Sequence, residues 1–316
     1  MQKQLYFNIL KVALGAALII LLVRMAPLGD VVRTLGSVNV YYLLLAVALY
    51  LSGLLVSPVR WSRLLAAKGI HVPLRNLVSY FFIGYFFNNF LPTIVGGDLA
   101  RARYVGIESK RRPEAFGATI VDRAIGFLAL TAIVLVLSLG FSHVVANEGL
   151  ILLAVVLIVA LTALASLFFK RSIFERLSGW LGKIRLFDLG RRLTQLYTAI
   201  YSYRDHKLTC LLAFTLSLVL QSALIVANYC LGLSLGIQVT PIYYFLFIPI
   251  IAFASMIPLT PNALGIREHS YRILFMRVGV NEIHAVSLSL LNLFLVFLAS
   301  LIGGVIFLVR KEEFTI

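Results

Sequence analysis

Two short stretches of this 316-residue chain hold the residues best suited to binding a phosphate. The first runs from Pro92 to Arg101 through Gly96, Gly97 and Asp98. The glycines let backbone N–H groups approach an anion closely, and a helix starting at Asp98 would aim its positive end there. Arg101, one turn on, adds a forked cation that matches phosphate geometry. The same residues also suit a plain helix cap by Asp98, with Arg101 snorkelling to the surface. The second stretch runs from Pro258 to Glu268 and holds Gly265, Arg267 and Glu268. Adjacent on one helix, Arg267 and Glu268 should point ~100° apart and take different partners. At mid-membrane depth each charge would cost ~2.5–3.5 kcal/mol on insertion scales, which marks a pathway; at the outer interface it would cost little.

Asp122 and Arg123 open another apolar run. Neighbours on a helix do not face each other, so Asp122 is expected to pair across helices with Arg101 or Arg103, as a structural pair or a substrate contact. Asn88 and Asn89 are read as caps for broken backbone. Gln221 and Asn228 share a helix face, and Ala285, Ser289, Asn292, Val296, Ala299 and Gly303 form a small-residue stripe for close packing. No catalytic set emerges. The five histidines lack metal-ligand spacing, and there is neither a Gly-x-Ser-x-Gly elbow nor a nucleotide phosphate loop. No cofactor and no metal are expected.

These residues need elements to hold them, and composition says where those elements lie. Hydrophobic residues make up 61 % of the chain and charged ones 13 %, the balance of a multi-pass membrane protein. A net charge of +15 would suggest nucleic acid in a soluble protein. Here the lysines and arginines lie mostly between apolar runs, as the positive-inside rule requires, with no long basic stripe for nucleic acid. Six runs are long enough to cross, at 6–23, 41–57, 116–140, 149–169, 208–235 and 284–309. Two shorter ones, 76–92 and 242–258, would reach only ~25 Å of a ~30 Å core. Basic residues flank 76–92 on both sides, which makes it re-entrant with the N-terminus in the cytoplasm. For 242–258 charge is indifferent, while its length and Pro249, Pro258 and Pro261 favour a second re-entrant piece.

The expected fold is an all-α polytopic membrane protein with about six spans, two re-entrant hairpins and an inverted repeat. Span–dip–span at 41–140 matches span–dip–span at 208–309, with Arg101 and Arg267 each nine residues after a proline. Inverted repeats with broken helices are common in secondary transporters. One transmembrane domain, 1–316, is expected. Within it the connection 169–207 carries apolar residues at helical spacing opposite basic ones, suiting an amphipathic helix on the inner leaflet or a simple positive-inside connector. Cys210 and Cys230, twenty residues apart on one run, cannot bridge.

The Pro92–Arg101 run, the Asp122-Arg123 pair and the Pro258–Glu268 run together resemble the lysylphosphatidylglycerol synthetase transmembrane family, over essentially the whole chain. The resemblance implies a prokaryotic plasma-membrane protein with re-entrant helices that moves phospholipid-type substrates between leaflets. Asn262-Ala263 stands where relatives often carry glycine. The chain stops at Ile316 without an aminoacyltransferase domain, so it is not expected to make lysyl-lipid.

The expected function is therefore a flippase-like transporter of a phospholipid or polyprenyl-phosphate lipid. Arg101 and Arg267 would hold the phosphate in a polar cavity, while Asp98 and Glu268 read a headgroup cation or balance the arginines. Asp122, Arg123, Gly96, Gly97 and Gly265 complete the substrate site. Two other readings stay open. One is a transferase or phosphatase on a polyprenyl phosphate, using Asp98 and Asp122. The other is a scaffold for a glycolipid synthase partner. A homo-oligomer is compatible with all three.

Overall fold

Long apolar runs in a chain with little polar surface must satisfy their backbone internally, so helices are the expected outcome. A computed structural model describes residues 33–90, 96–140, 189–256, 263 and 265–310. The expected spans 6–23 and 149–169, residues 91–95, 257–262 and 264, and most of the 169–207 connection lie outside the described residues. Among the described residues the regular structure is helical, with no strand.

The helices, in chain order, are α1 Val40–Ala66, α2 Leu74–Phe90, α3 Gly96–Glu108, α4 Arg112–Gly140, α5 Leu189–Tyr201, α6 Lys207–Ser234, α7 Pro241–Ala254, α8 Ile266–Met276 and α9 Glu282–Val309. Four of them, α1, α4, α6 and α9, are long and apolar enough to cross a membrane. Large apolar side chains stay exposed on them, including Val136, Leu208, Leu308 and Val309, each about 70–82 % exposed, as lipid contact permits and water would not. The protein is thus an all-α, multi-pass membrane protein.

The order and size of these helices repeat along the chain. A long, a short, a short and a long helix of 27, 17, 13 and 29 residues (α1–α4) is followed by another such series of 28, 14, 11 and 28 (α6–α9). Each short pair is antiparallel. Near the start of α2, Asn76 and Tyr80 donate to the Glu108 carboxylate at the end of α3 (3.2 and 2.7 Å), and Tyr80 stacks on Tyr104 at 5.3 Å. Tyr244, near the start of α7, meets Phe275 near the end of α8 at 4.9 Å. At 1.5 Å per residue α2 and α7 reach only ~25 and ~21 Å, less than a bilayer core.

Local chemistry sets several of these boundaries. Pro241 occupies the first position of α7, where its missing N–H costs nothing. Gly279, at φ 83°, reverses the chain after α8, and the Asn281 side chain then accepts from Ile283 N–H to cap α9.

The chain gathers into two compact units. The first takes its described residues from Met1–Gly53, Phe82–Asp98 and Ser222–Ile316; the second from Leu54–Phe81 and Leu99–Gln221. Tyr244, Tyr271, Phe275, Leu288 and Leu295 are fully buried in the first, and Trp61, Leu64, Leu65 and Leu77 in the second.

In the first unit two glycines allow backbones to touch. A Cβ on Gly97 would collide with the Gly84 carbonyl of α2, and one on Gly303 with the Phe82 carbonyl. Gly97→Ala should therefore destabilise the protein by about 1–3 kcal/mol, as overpacking does, read as a lower melting temperature in detergent. An unchanged melting temperature would mean the hairpin does not close as described.

The amphipathic helix expected in the connection is present in part, as α5, but its apolar face is used differently. Ala199 and Ile200 are buried, α5 packs against α4, and Ala199 lies where a Cβ on Gly117 would fall. A protein groove, not the leaflet, takes that face, because α4 offers it a glycine gap.

Candidate functional site

Charge inside a membrane helix is costly unless it is paired and hydrogen-bonded. Among the described residues the buried charged groups are Arg60, Arg101, Asp122, Arg267 and Glu268. They fall into one cluster per unit.

In the second unit Asp122 is the hub, only 1 % exposed. Arg60 Nε donates to one of its oxygens at 2.6 Å and Arg101 Nη2 to the other at 3.1 Å. Arg60 is anchored again through Nη1, which donates to Ser217 Oγ at 2.7 Å. Gly126 faces that guanidinium; a Cβ there would meet it at 3.6 Å, an ordinary van der Waals contact. Arg101 stacks over the fully buried Trp61, its Cζ 4.8 Å from the ring centroid. The cluster draws on α1, α3, α4 and α6. Of the pairings expected for Asp122, the one with Arg101 forms, and Arg60 joins it. Arg101 does not snorkel; it is 5 % exposed. Arg123 points elsewhere, its Cζ 5.6 Å over the Phe127 ring, as adjacent helical positions require.

In the first unit Arg267 and Glu268 bind one another, contrary to the expectation that each would take a different partner. Glu268 turns back so that one oxygen accepts from Gly265 N–H at 2.6 Å, the reach-back half of a capping box. Its other oxygen then lies where Arg267 Nη2 and Nε donate to it, at 2.9 and 3.2 Å. Capping, which ties Glu268 to the start of α8, overrides the 100° helical spacing. Tyr271 lies one helical turn after Arg267 on α8. The Tyr50 and Tyr85 hydroxyls are hydrogen-bonded at 2.7 Å, and Tyr271 donates to Asn228 Oδ1 at 2.6 Å. Asn89 donates to Ser300 Oγ at 2.8 Å.

The turns feeding these clusters are specialised. α3 begins at Gly96, two residues before Asp98, which lies in its first turn. Gly97 N–H donates to Asn88 Oδ1 at 2.8 Å, so Asn88 is a cap and that N–H is already engaged. Gly265 sits at φ 86° and Ala263 at φ 53°, both left-handed. Glycine adopts that region freely; alanine is strained there by roughly 1–2 kcal/mol. Ala263→Gly should raise stability by up to about 1 kcal/mol once the greater freedom of the unfolded glycine is discounted. A melting temperature that falls would show that Ala263 is not strained.

Sequence reasoning missed Arg60, Tyr50, Tyr85 and the Tyr271–Asn228 bond. In the sequence Arg60 falls among the basic residues that precede 76–92, because the apolar run stops near residue 57, whereas α1 continues to Ala66. The available signal was the repeat. Arg60 and Asn228 each lie six residues before the end of the first long helix of their series, and each carries a buried polar bond to a later helix, Arg60 to Asp122 of α4 and Asn228 to Tyr271 of α8.

The model of the lysylphosphatidylglycerol synthase TM region matches residues 8–312 of the chain. A UPF0104 membrane protein of Pyrococcus horikoshii is 27 % identical, covering 96 % of this chain and 97 % of that protein. A UPF0104 membrane protein of Methanothermobacter thermautotrophicus is 26 % identical over 85 % of this chain and 84 % of its own length.

Proposed function

Because the chain belongs to the lysylphosphatidylglycerol synthase TM-region family, its role concerns membrane lipid, and we propose that it moves a phosphate-bearing lipid between leaflets. The observation that carries this reading is the buried Arg60–Asp122–Arg101 network. Guanidinium groups at membrane depth, held by fixed partners, suit a site that replaces the water around a phosphate. Arg101 is the phosphate ligand of the second unit, and Arg60 positions Asp122. Arg267, with Glu268 and Gly265, is the corresponding group of the first unit. The antiparallel short helices are the re-entrant elements, α2–α3 and α7–α8. The chain sits in a prokaryotic plasma membrane with its N-terminus inside.

The transferase or phosphatase reading is less well supported. Both Asp122 oxygens are taken by arginines, and no three His, Cys, Asp or Glu gather among the described residues. Proteoliposomes carrying a fluorescent phosphatidylglycerol in one leaflet separate the two. Transfer should exceed that of protein-free vesicles, persist in EDTA and survive Asp98→Asn. Chemical turnover of a polyprenyl phosphate that needs a divalent ion and disappears with Asp98→Asn would favour the enzyme.

A further inference from the structure

We propose that one end of the second unit is a cationic face that gathers anionic lipid headgroups from the leaflet it meets. This concerns the lipid around the protein, not the lipid it transfers, and so goes beyond the transport reading. Hydrogen bonds bring the ends of α1 and α3 and the starts of α2, α4 and α6 together at this face. Asn76 and Tyr80, near the start of α2, donate to Glu108 at the end of α3. Arg111, in the turn from α3 to α4, donates to the Lys68 carbonyl just beyond α1 at 2.6 Å. The Lys68 ammonium donates to Ser202 Oγ at 2.5 Å and lies 4.1 Å from the Tyr203 ring centroid, shortly before α6 begins.

The charge gathered there is unbalanced. Arg63, Arg75, Lys110, Arg112 and Lys207 are exposed, and among the described residues their side chains form no ion pair. The carboxylates of this end have other partners: Glu108 takes Asn76 and Tyr80, Glu114 pairs with Arg111 at 3.1 Å, and Asp205 with Arg204 at 3.4 Å. Helix stability explains only some of the cations. Arg63 lies in the last turn of α1, where the helix dipole favours positive charge. Arg75, Arg112 and Lys207 instead take the first or second positions of α2, α4 and α6, where the dipole opposes it. Neither α2 nor α6 has an acidic residue in its first turn as an offset. An external anion compensates the side chains and the helix ends together.

Membrane lipid fits this face better than a soluble acidic partner, because apolar side chains stand beside the cations. Leu74, 48 % exposed, precedes Arg75, and Leu208, 82 % exposed, follows Lys207. Each pair sets an acyl-chain contact next to a headgroup contact, as at a helix end in the membrane interface. One cation near an anionic surface is worth about a fivefold preference.

The test uses the full chain in nanodiscs of phosphatidylcholine with a minor share of phosphatidylserine or phosphatidylglycerol, and native mass spectrometry counts the lipid retained. Either anionic lipid should be enriched over phosphatidylcholine by about fivefold or more, and high salt should remove most of the enrichment. The quadruple variant Arg75→Gln, Lys110→Gln, Arg112→Gln, Lys207→Gln should lose most of it at low salt. Equal enrichment in variant and parent, or enrichment indifferent to salt, would overturn the proposal. Capture of polyglutamate without lipid enrichment would overturn it in favour of a protein partner. Should the quadruple variant fail to fold, Arg75→Gln with Lys207→Gln should still lower the enrichment severalfold, and no change overturns the proposal equally.

Discussion

Replacing Asp122 by alanine should destabilise the protein by about 3–5 kcal/mol, the cost of removing one partner from a buried ionic network. The Asp122 carboxylate binds two buried guanidinium groups, at 2.6 and 3.1 Å. Its loss leaves Arg60 anchored, among the described residues, by Ser217 and leaves two guanidinium groups uncompensated in a low-dielectric setting. The expected result is a large fall in melting temperature, or failure to recover folded protein from the membrane. Desolvation, not lost contact, is the cause, so a hydrophobic replacement of the whole network should restore most of the stability. The triple variant Arg60→Met, Asp122→Leu, Arg101→Met should therefore melt well above Asp122→Ala, yet transfer no lipid. An Asp122→Ala protein as stable as the parent would show that the network is not buried as described.

Removing Arg101 should have the opposite profile, with modest structural cost and severe functional loss. Asp122 keeps its shorter bond to Arg60, so the carboxylate stays compensated. The losses include one 3.1 Å bond and the stacking over Trp61. A charge-assisted hydrogen bond to phosphate is worth ~1.5–3 kcal/mol, so Arg101→Ala should slow lipid transfer about ten- to hundredfold. Arg101→Lys keeps the charge but loses the fork and the flat face over the indole, and should fall between. Transfer kinetics in reconstituted vesicles, normalised to folded protein, check both values.

The parts legible in the sequence were those written in periodicity and in helix-breaking residues. The spans at 41–57, 116–140, 208–235 and 284–309 appear as helices, extended by up to nine residues where polar positions continue the helix. The short runs appear as α2 and α7, and Gly96, Gly97 and Gly265 mark the turns into α3 and α8. Asn88 was legible as a cap because a short amide beside a break has few other roles. Arg60 was hidden because hydropathy ends a span at the first polar cluster, while the backbone has no reason to stop before Gly69. The Arg267–Glu268 pair was hidden because helical spacing says nothing about a carboxylate that folds back to cap its own helix. Tyr271 and Asn228, 43 positions apart, meet only through packing.

The most direct measurement is leaflet transfer of a phosphate-bearing lipid by wild-type, Arg101→Ala and Arg267→Ala proteins in identical vesicles, each with its folded content verified. A loss of protein-dependent transfer of about ten- to hundredfold in both variants is the predicted result. Wild-type rates in both would contradict the assignment of these guanidinium groups to the lipid phosphate.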